Sequence, residues 1–250
     1  LSYGSLMPKM VGGIVFEHSH RLIAGAVAML ATGIMLWAWR REPRRWVCRM
    51  AFVAWVTVLV QALLGGLTVL LLLPTAVSVS HAGIAQVFFT LMCLLAVVTS
   101  QRWTTARASG AADSRLRLLS VLAVVCVYVQ TLLGAWMRHD WLRYGGAGLA
   151  IPDFPLAYGG LLPPLSADGL DGINTVRNGV YGYEYLATIG PVLIHFAHRA
   201  WATVVVSVVV ALFVTTVRRH RESRAFVSLA SLILGLVCVQ ILLGGLTIWT

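Results

Sequence analysis

Six stretches of this chain run long enough without an internal charge to cross a lipid bilayer, and that decides the solvent in which it folds. They cover roughly residues 22–39, 50–73, 82–100, 118–137, 200–217 and 225–249. A spanning helix needs about 20 apolar residues. In hydrocarbon every backbone N–H and C=O must be satisfied within the protein, so such runs form helices. The expected class is an all-α integral membrane protein. Composition agrees: the chain is 59% hydrophobic and only 11% charged, too little polar surface for a soluble domain of 250 residues. Two of the runs extend N-terminally through polar sequence that carries histidines.

The net charge of +10 could suggest a nucleic-acid partner, but its distribution says otherwise. Arg40, Arg41, Arg44, Arg45 and Arg49 share one short loop. Arg102, Arg107, Arg115 and Arg117 share a second, and Arg218, Arg219, Arg221 and Arg224 a third. Thirteen of the 19 basic residues thus lie in three alternate loops. The positive-inside rule makes these loops cytoplasmic. The long connection 138–190 holds Asp140, Asp153, Asp168, Asp171 and Glu184, and is expected outside together with both ends of the chain. The four cysteines, Cys48, Cys93, Cys126 and Cys238, form no C-x-x-C pattern, so neither a zinc site nor a disulfide framework is indicated.

The chain also matches itself. Leu1-Ser2-Tyr3-Gly4-Ser5-Leu6-Met7-Pro8 pairs with Leu156-Ala157-Tyr158-Gly159-Gly160-Leu161-Leu162-Pro163, with five identities in eight. His20-Arg21 pairs with His198-Arg199. The run Gln61 to Leu70 pairs with Gln240 to Trp249, seven in ten, sharing Leu-Leu-Gly-Gly-Leu-Thr. The offsets are 155, 178 and 179, so the second copy carries extra residues between Pro163 and His198. A helix ending Gln130-Thr131-Leu132-Leu133-Gly134 precedes the second Tyr-Gly loop, and a helix starting Ser80-His81 follows the first Gln-Leu-Leu-Gly-Gly. Each lacks its counterpart in the other copy. The expectation is two repeated four-helix-bundle units in parallel topology, with six of eight helices present here, the first and last missing. The units are expected at 1–117 and 118–250. The Gly-Gly pairs read as close-packing positions.

Ionisable groups within a span are costly, so they are functional candidates. Here they are Glu17, His18, His20, Arg21, His81, His195, His198 and Arg199, all near the outer ends of helices. Glu17 and His20, three apart, share a helix face, and His195 and His198 repeat that spacing. One inward His on each of two helices of a bundle can clamp a planar ring, and imidazoles from opposite sides commonly hold heme iron. One such His alone would read as a snorkelling side chain. Recurrence at equivalent repeat positions, with His81 as a third, favours iron ligation. His18, about 100° around the helix from Glu17, belongs at the surface or behind the ligands. Arg21 and Arg199 suit either heme propionates or lipid headgroups. His139 and His220 lie in loops and receive no role.

Together these residues resemble the heme A synthase family. Glu17-His18-Ser19-His20-Arg21, the first Gln-Leu-Leu-Gly-Gly and His81-Ala82 are similar to its first half. Pro152-Asp153-Phe154-Pro155-Leu156-Ala157-Tyr158-Gly159 resembles its outer-loop motif, and His198-Arg199 with the second Gln-Leu-Leu-Gly-Gly resembles its second half. The resemblance implies conversion of heme O to heme A by oxidation of a ring methyl to formyl, for cytochrome oxidase. It implies that the amino-terminal unit takes the substrate heme at His20 and His81, and that the carboxy-terminal unit holds heme b with His198. Glu17 matches the family's essential carboxylate. His195 occupies its place in the second copy, an asymmetry that fits one catalytic unit and one cofactor unit. The implied setting is the cell inner membrane, with the histidine-bearing ends periplasmic. The implied partners are heme O, the bilayer, and heme O synthase, cytochrome oxidase or an electron-transfer protein; none is a nucleic acid. The chain departs from the family at the first outer loop: many members carry a cysteine pair there, and in this sequence the segment that would hold it is largely absent, its remnant showing Ser2 and no Cys.

Two other functions fit parts of the pattern. A di-heme b-type membrane electron carrier, quinol-linked, uses the same histidines but has no call for Glu17. A transporter would need broken helices with polar residues near mid-membrane, where this chain has only Gln61, Gln130 and Gln240 with glycines.

Overall fold

A computed structural model describes residues 13–71, 74–105, 113–143, 150–181 and 187–249. Its helices are α1 (Gly13–Arg41), α2 (Arg45–Leu70), α3 (Thr75–Thr99), α4 (Gln101–Thr105), α5 (Ser114–Arg143), α6 (Ala167–Tyr181), α7 (Ile189–Arg219) and α8 (Arg224–Trp249). Six of them, α1, α2, α3, α5, α7 and α8, are long and apolar enough to cross a membrane. The described residues contain no strand, only one isolated bridge between Ala157 and Gly160. The protein is an all-α integral membrane protein. Its helices carry large apolar side chains on the outside, such as Trp37, Leu63 and Leu242, as lipid-facing surfaces do. The repeat segment 1–8 lies outside the described residues.

The chain separates into two compact units, Leu1–Ala108 and Ser109–Thr250. In the first, α2 packs against both α1 and α3. Helix α1 stops at Arg41 because Pro43 follows, and the residue before a proline disfavours the α conformation. Arg40 and Arg41 sit in its last turn, where cations favour the helix dipole. The tight link to α2 is held by charge. The Glu42 carboxylate accepts from Arg44 Nε at 2.6 Å and Nη2 at 2.9 Å, and Arg44 Nη1 donates to the Val98 carbonyl on α3 at 2.9 Å. The Arg44 side chain holds the Glu42 carboxyl below its ordinary pKa. Beside this link, Ala38, Val47, Ala51, Ala54, Leu95 and Val98 form the buried core. Its alanines let the helices approach closely. Deeper in, Trp55 Nε1 donates to Thr32 Oγ1 at 3.0 Å and ties α2 to α1.

In the second unit α7 packs against α5 and α8. Cys126, Val205 and Val209 form their shared core, and Trp201 Nε1 donates to the Cys126 carbonyl at 2.9 Å. At one end of α5, Asp113 Oδ1 accepts from the backbone N–H of Arg115 and Leu116, capping the helix. Its Oδ2 meets His220 Nε2 at 3.0 Å and Arg219 Nη1 at 3.5 Å, both at the end of α7. The bond from His220, aided by the capping N–H groups, holds the Asp113 carboxyl down at about 2.

At the other end of α5 the sequence read as one long loop. Instead α5 continues to Arg143, and α6 supplies Leu170 to a small buried core with Ile151, Ala157, Ala187 and Val192. Asn174 closes it, donating from Nδ2 to the Ala187 carbonyl at 3.0 Å and accepting from the Ala187 N–H at 2.7 Å. Residues 150–160 are thereby folded over the start of α7.

Candidate functional site

Each histidine of interest lies about two or three turns inside its helix: His20 in α1, His81 in α3 and His198 in α7. In the first unit His20 is exposed, while His18 is buried at 5% exposure. Of the two places the sequence left open for His18, the surface is thereby excluded. His20 lies close enough to His81 for the two rings to interact electrostatically. Glu17 forms an ion pair with Arg21 one turn on, Nη2 to Oε1 at 2.5 Å, with both side chains 39% exposed. The pair is half-open to its surroundings and links the carboxylate to a flexible cation.

His81 is held from α2. Gln61 Nε2 donates to the His81 backbone carbonyl at 2.6 Å. Gly65, one turn further along α2, leaves room for the ring: a Cβ there would stand 3.3 Å from His81 Cε1. The ring's Nδ1 is buried and has no hydrogen-bond partner among the described residues. A buried polar atom left so is costly and calls for a ligand or a water.

The second unit encloses a cavity of about 580 Å³ between α5, α7 and α8, in the size range of small-molecule sites. Its walls are mainly apolar, with Val127, Val205 and Ile241 among them, and His198 and Arg199 supply polar chemistry. His198 faces α5. Gln130 Nε2 lies 3.2 Å from its backbone carbonyl and within 3.2 Å of both ring nitrogens, and a Cβ on Gly134 would stand 3.1 Å from its Cε1. Gln130 Oε1 is buried without a partner among the described residues. Gln240 and Gly244 line the same cavity from α8.

Arg199 does something the sequence did not reveal. Three of its five N–H bonds go to backbone carbonyls, and its Nε–H faces His195. Nη1 donates to the carbonyls of Asp153 at 2.7 Å and Leu156 at 2.9 Å, Nη2 to that of Ile151 at 3.1 Å, and Nε to His195 Nε2 at 3.1 Å. His195 is buried, and its Nδ1 faces the Ile151 N–H at 3.2 Å. A neutral imidazole has one ring lone pair, so His195 accepts from one of these donors at a time. It is occupied by the 150–160 segment. That segment is a built turn. Tyr158 and Gly159 both have positive φ, 56° and 78°, which only glycine adopts freely. Asp153 compensates: its Oδ1 accepts from Tyr158 N–H at 2.7 Å and its Oδ2 from Gly159 N–H at 2.8 Å. The Tyr158 hydroxyl donates to the Ala150 carbonyl. Burial pushes the Asp153 carboxyl up, but the Gly159 and Tyr158 N–H groups and nearby Arg199 together hold it below its ordinary pKa. Phe154, under the Arg199 guanidinium, roofs the cavity.

No three His, Cys, Asp or Glu side chains converge among the described residues in a way that would hold a bare metal ion. His198 beside an apolar cavity with Arg199 at its mouth suits a porphyrin iron, whose other ligands the macrocycle supplies.

A family model described as cytochrome oxidase assembly protein, COX15-CtaA, matches residues 10–250. The chain belongs to this family. Its curated relatives carry the name heme A synthase. That of Symbiobacterium thermophilum is 28% identical over 98% of this chain and 73% of the relative. That of Alkalihalophilus pseudofirmus is 23% identical over 100% and 75%. That of Sphingopyxis alaskensis is 30% identical over 94% and 61%. The family read from the Glu-His-Ser-His-Arg and Gln-Leu-Leu-Gly-Gly motifs is the one that the comparisons return, and its members are enzymes.

Proposed function

We propose that this protein converts heme O to heme A in the cell inner membrane, oxidising a porphyrin methyl to a formyl group for cytochrome oxidase biogenesis. The observation that carries the reading is the asymmetry between the two units. The acidic position Glu17 is half-exposed, one turn from His20, and paired with the flexible Arg21. Its repeat counterpart His195 is buried and committed to the 150–160 segment. One unit therefore keeps a carboxylate available for proton transfer, and the other has turned the position to structure.

In this reading the unit 1–117 takes heme O as substrate, with His20 and His81 at its iron. With water supplying the formyl oxygen and an external electron acceptor taking the four electrons, Glu17 would accept protons released as the methyl is oxidised, and Arg21 would stabilise the carboxylate between proton transfers. The unit 118–250 holds heme b, which supplies electron transfer when bound. His198 is its ligand on α7, the apolar walls exclude water, and Arg199, which lines the cavity, is the propionate partner. The histidine-bearing helix ends face the periplasm, with the Arg-rich loops cytoplasmic. Its protein partner in this reading is heme O synthase, cytochrome oxidase or an electron-transfer protein.

The test is heme A yield in cells supplied with heme O. Glu17→Gln keeps the shape and removes the proton acceptor. A general acid–base group contributes about 10²–10⁴-fold in rate, so heme A should fall to near background while the bound-heme spectrum persists. His20→Ala should instead disturb substrate-heme binding. Normal heme A from Glu17→Gln would remove Glu17 from the chemistry and favour a di-heme b-type electron carrier, which leaves heme O unchanged.

A further inference from the structure

The pattern Gln-x-x-x-Gly occurs at Gln61–Gly65, Gln130–Gly134 and Gln240–Gly244. Four residues along a helix puts both side chains on one face, a turn apart. In two of the three copies that face meets a histidine on a helix packed against it through two shared contacts, and Gln130 lies in addition within 3.2 Å of both His198 ring nitrogens. Gln61 and Gln130 each donate to the histidine's own backbone carbonyl, at 2.6 Å for His81 and 3.2 Å for His198. Gly65 and Gly134 each lie against the ring at the same atom, Cε1, where a Cβ would stand 3.3 and 3.1 Å away. Close packing of helices would explain a glycine at either contact. It does not explain the same two contacts to the same two parts of a histidine, in two units.

We infer that Gln-x-x-x-Gly is a positioning cradle for an iron-binding imidazole. The inference rests on His81 and His198 being heme ligands, as proposed above. The amide fixes the height of the histidine on its helix. A carbonyl has two lone pairs, so it can accept this bond beside its intrahelical one. The glycine fixes the ring. Cε1 sits between the two ring nitrogens, so a push there moves whichever nitrogen meets iron. A Cβ at 3.1–3.3 Å is tighter than ordinary contact and displaces the ring by a few tenths of an ångström. Gln61, Gly65, Gln130 and Gly134 are thus positioning residues, and the adjacent Gly66, with nothing within 4 Å of its Cβ position among the described residues, is a built-in control.

The experiment uses the full chain purified with its hemes, read by low-spin ferric electron paramagnetic resonance and reduced-minus-oxidised optical spectra. His81→Ala and His198→Ala first assign which signal depends on which histidine. Gly65→Ala and Gln61→Leu should then shift or abolish the His81-dependent signal alone, and Gly134→Ala and Gln130→Leu the His198-dependent one. Gly66→Ala should superimpose on the wild type. Gln61→Leu and Gln130→Leu add no bulk, so they carry the test where an alanine variant fails to accumulate. Wild-type spectra from the glycine and glutamine variants would overturn the cradle. So would Gly66→Ala shifting the signal as far as Gly65→Ala, which would mean helix packing alone. Signals in the wild type that survive both histidine variants would instead overturn the ligand assignment itself, and the cradle with it.

Discussion

Replacing Arg199 with Leu should unfasten the 150–160 segment without unfolding the helices. Three of the Arg199 bonds end on carbonyls of that segment, those of Ile151, Asp153 and Leu156. Water can reclaim these carbonyls once the segment lifts, so the full cost of stranding them is not incurred. Taking about 1 kcal/mol net for each bond gives about 3 kcal/mol of local stability. At about 1.4 kcal/mol per factor of ten, that is on the order of a hundredfold in the opening equilibrium. The amides that report it are those of Tyr158 and Gly159, held by Asp153, and of Ala157 and Gly160, which bond each other's carbonyls. Hydrogen–deuterium exchange in lipid nanodiscs should show these amides exchanging about a hundredfold faster in Arg199→Leu, with α5 and α7 unchanged. Arg199→Lys should fall between, because an ammonium offers a point charge and not a planar fork. Exchange in Arg199→Leu within about threefold of wild type would refute the clamp.

Asp113 gives a pH signature. Its carboxyl is held at about 2, below its ordinary 3.8, so its contribution is present above about pH 4 and is lost as pH falls toward 2. The gap in melting temperature between wild type and Asp113→Asn should therefore shrink as pH falls below about 4; a gap that keeps widening below pH 4 would contradict the lowered Asp113 carboxyl. In the first unit, Ala54 is 1% exposed between packed helices, and Ala54→Leu should destabilise by about 1–3 kcal/mol through overpacking. Leu63, 69% exposed on the lipid-facing side, should tolerate Ala with little change in the same denaturation assay.

The spans were legible because twenty apolar residues in a row leave a chain few choices. So was the face shared by Glu17 and its neighbours, since helical spacing is a property of sequence alone. The cradle was half legible. The recurring Gln and Gly stood out, but spacing could not say that Gly65 meets a ring and that Gly66 meets no side chain among the described residues. The 150–160 fold was not legible. Its bonds run from Arg199 to carbonyls more than 40 residues earlier, and a backbone carbonyl leaves no trace in residue identity. Helix α6 was missed for a similar reason: its Asp, Gly and Asn content reads as loop, and Leu170 and Asn174 become informative only beside Ile151 and Ala187. The burial of His18 likewise depends on its neighbours in space, not on its position along α1.

Arg199 follows its loop partners in the chain by 43 to 48 residues. During synthesis the 150–160 segment therefore exists before the residue that fastens it. It stays loose until α7 has been made and seated in the bilayer, and only then can the guanidinium gather its carbonyls. The fastening thus waits on α7. A chain whose α7 inserts late or in the wrong register leaves this segment open to proteolysis, so quality-control proteases can sort finished molecules from unfinished ones at this turn.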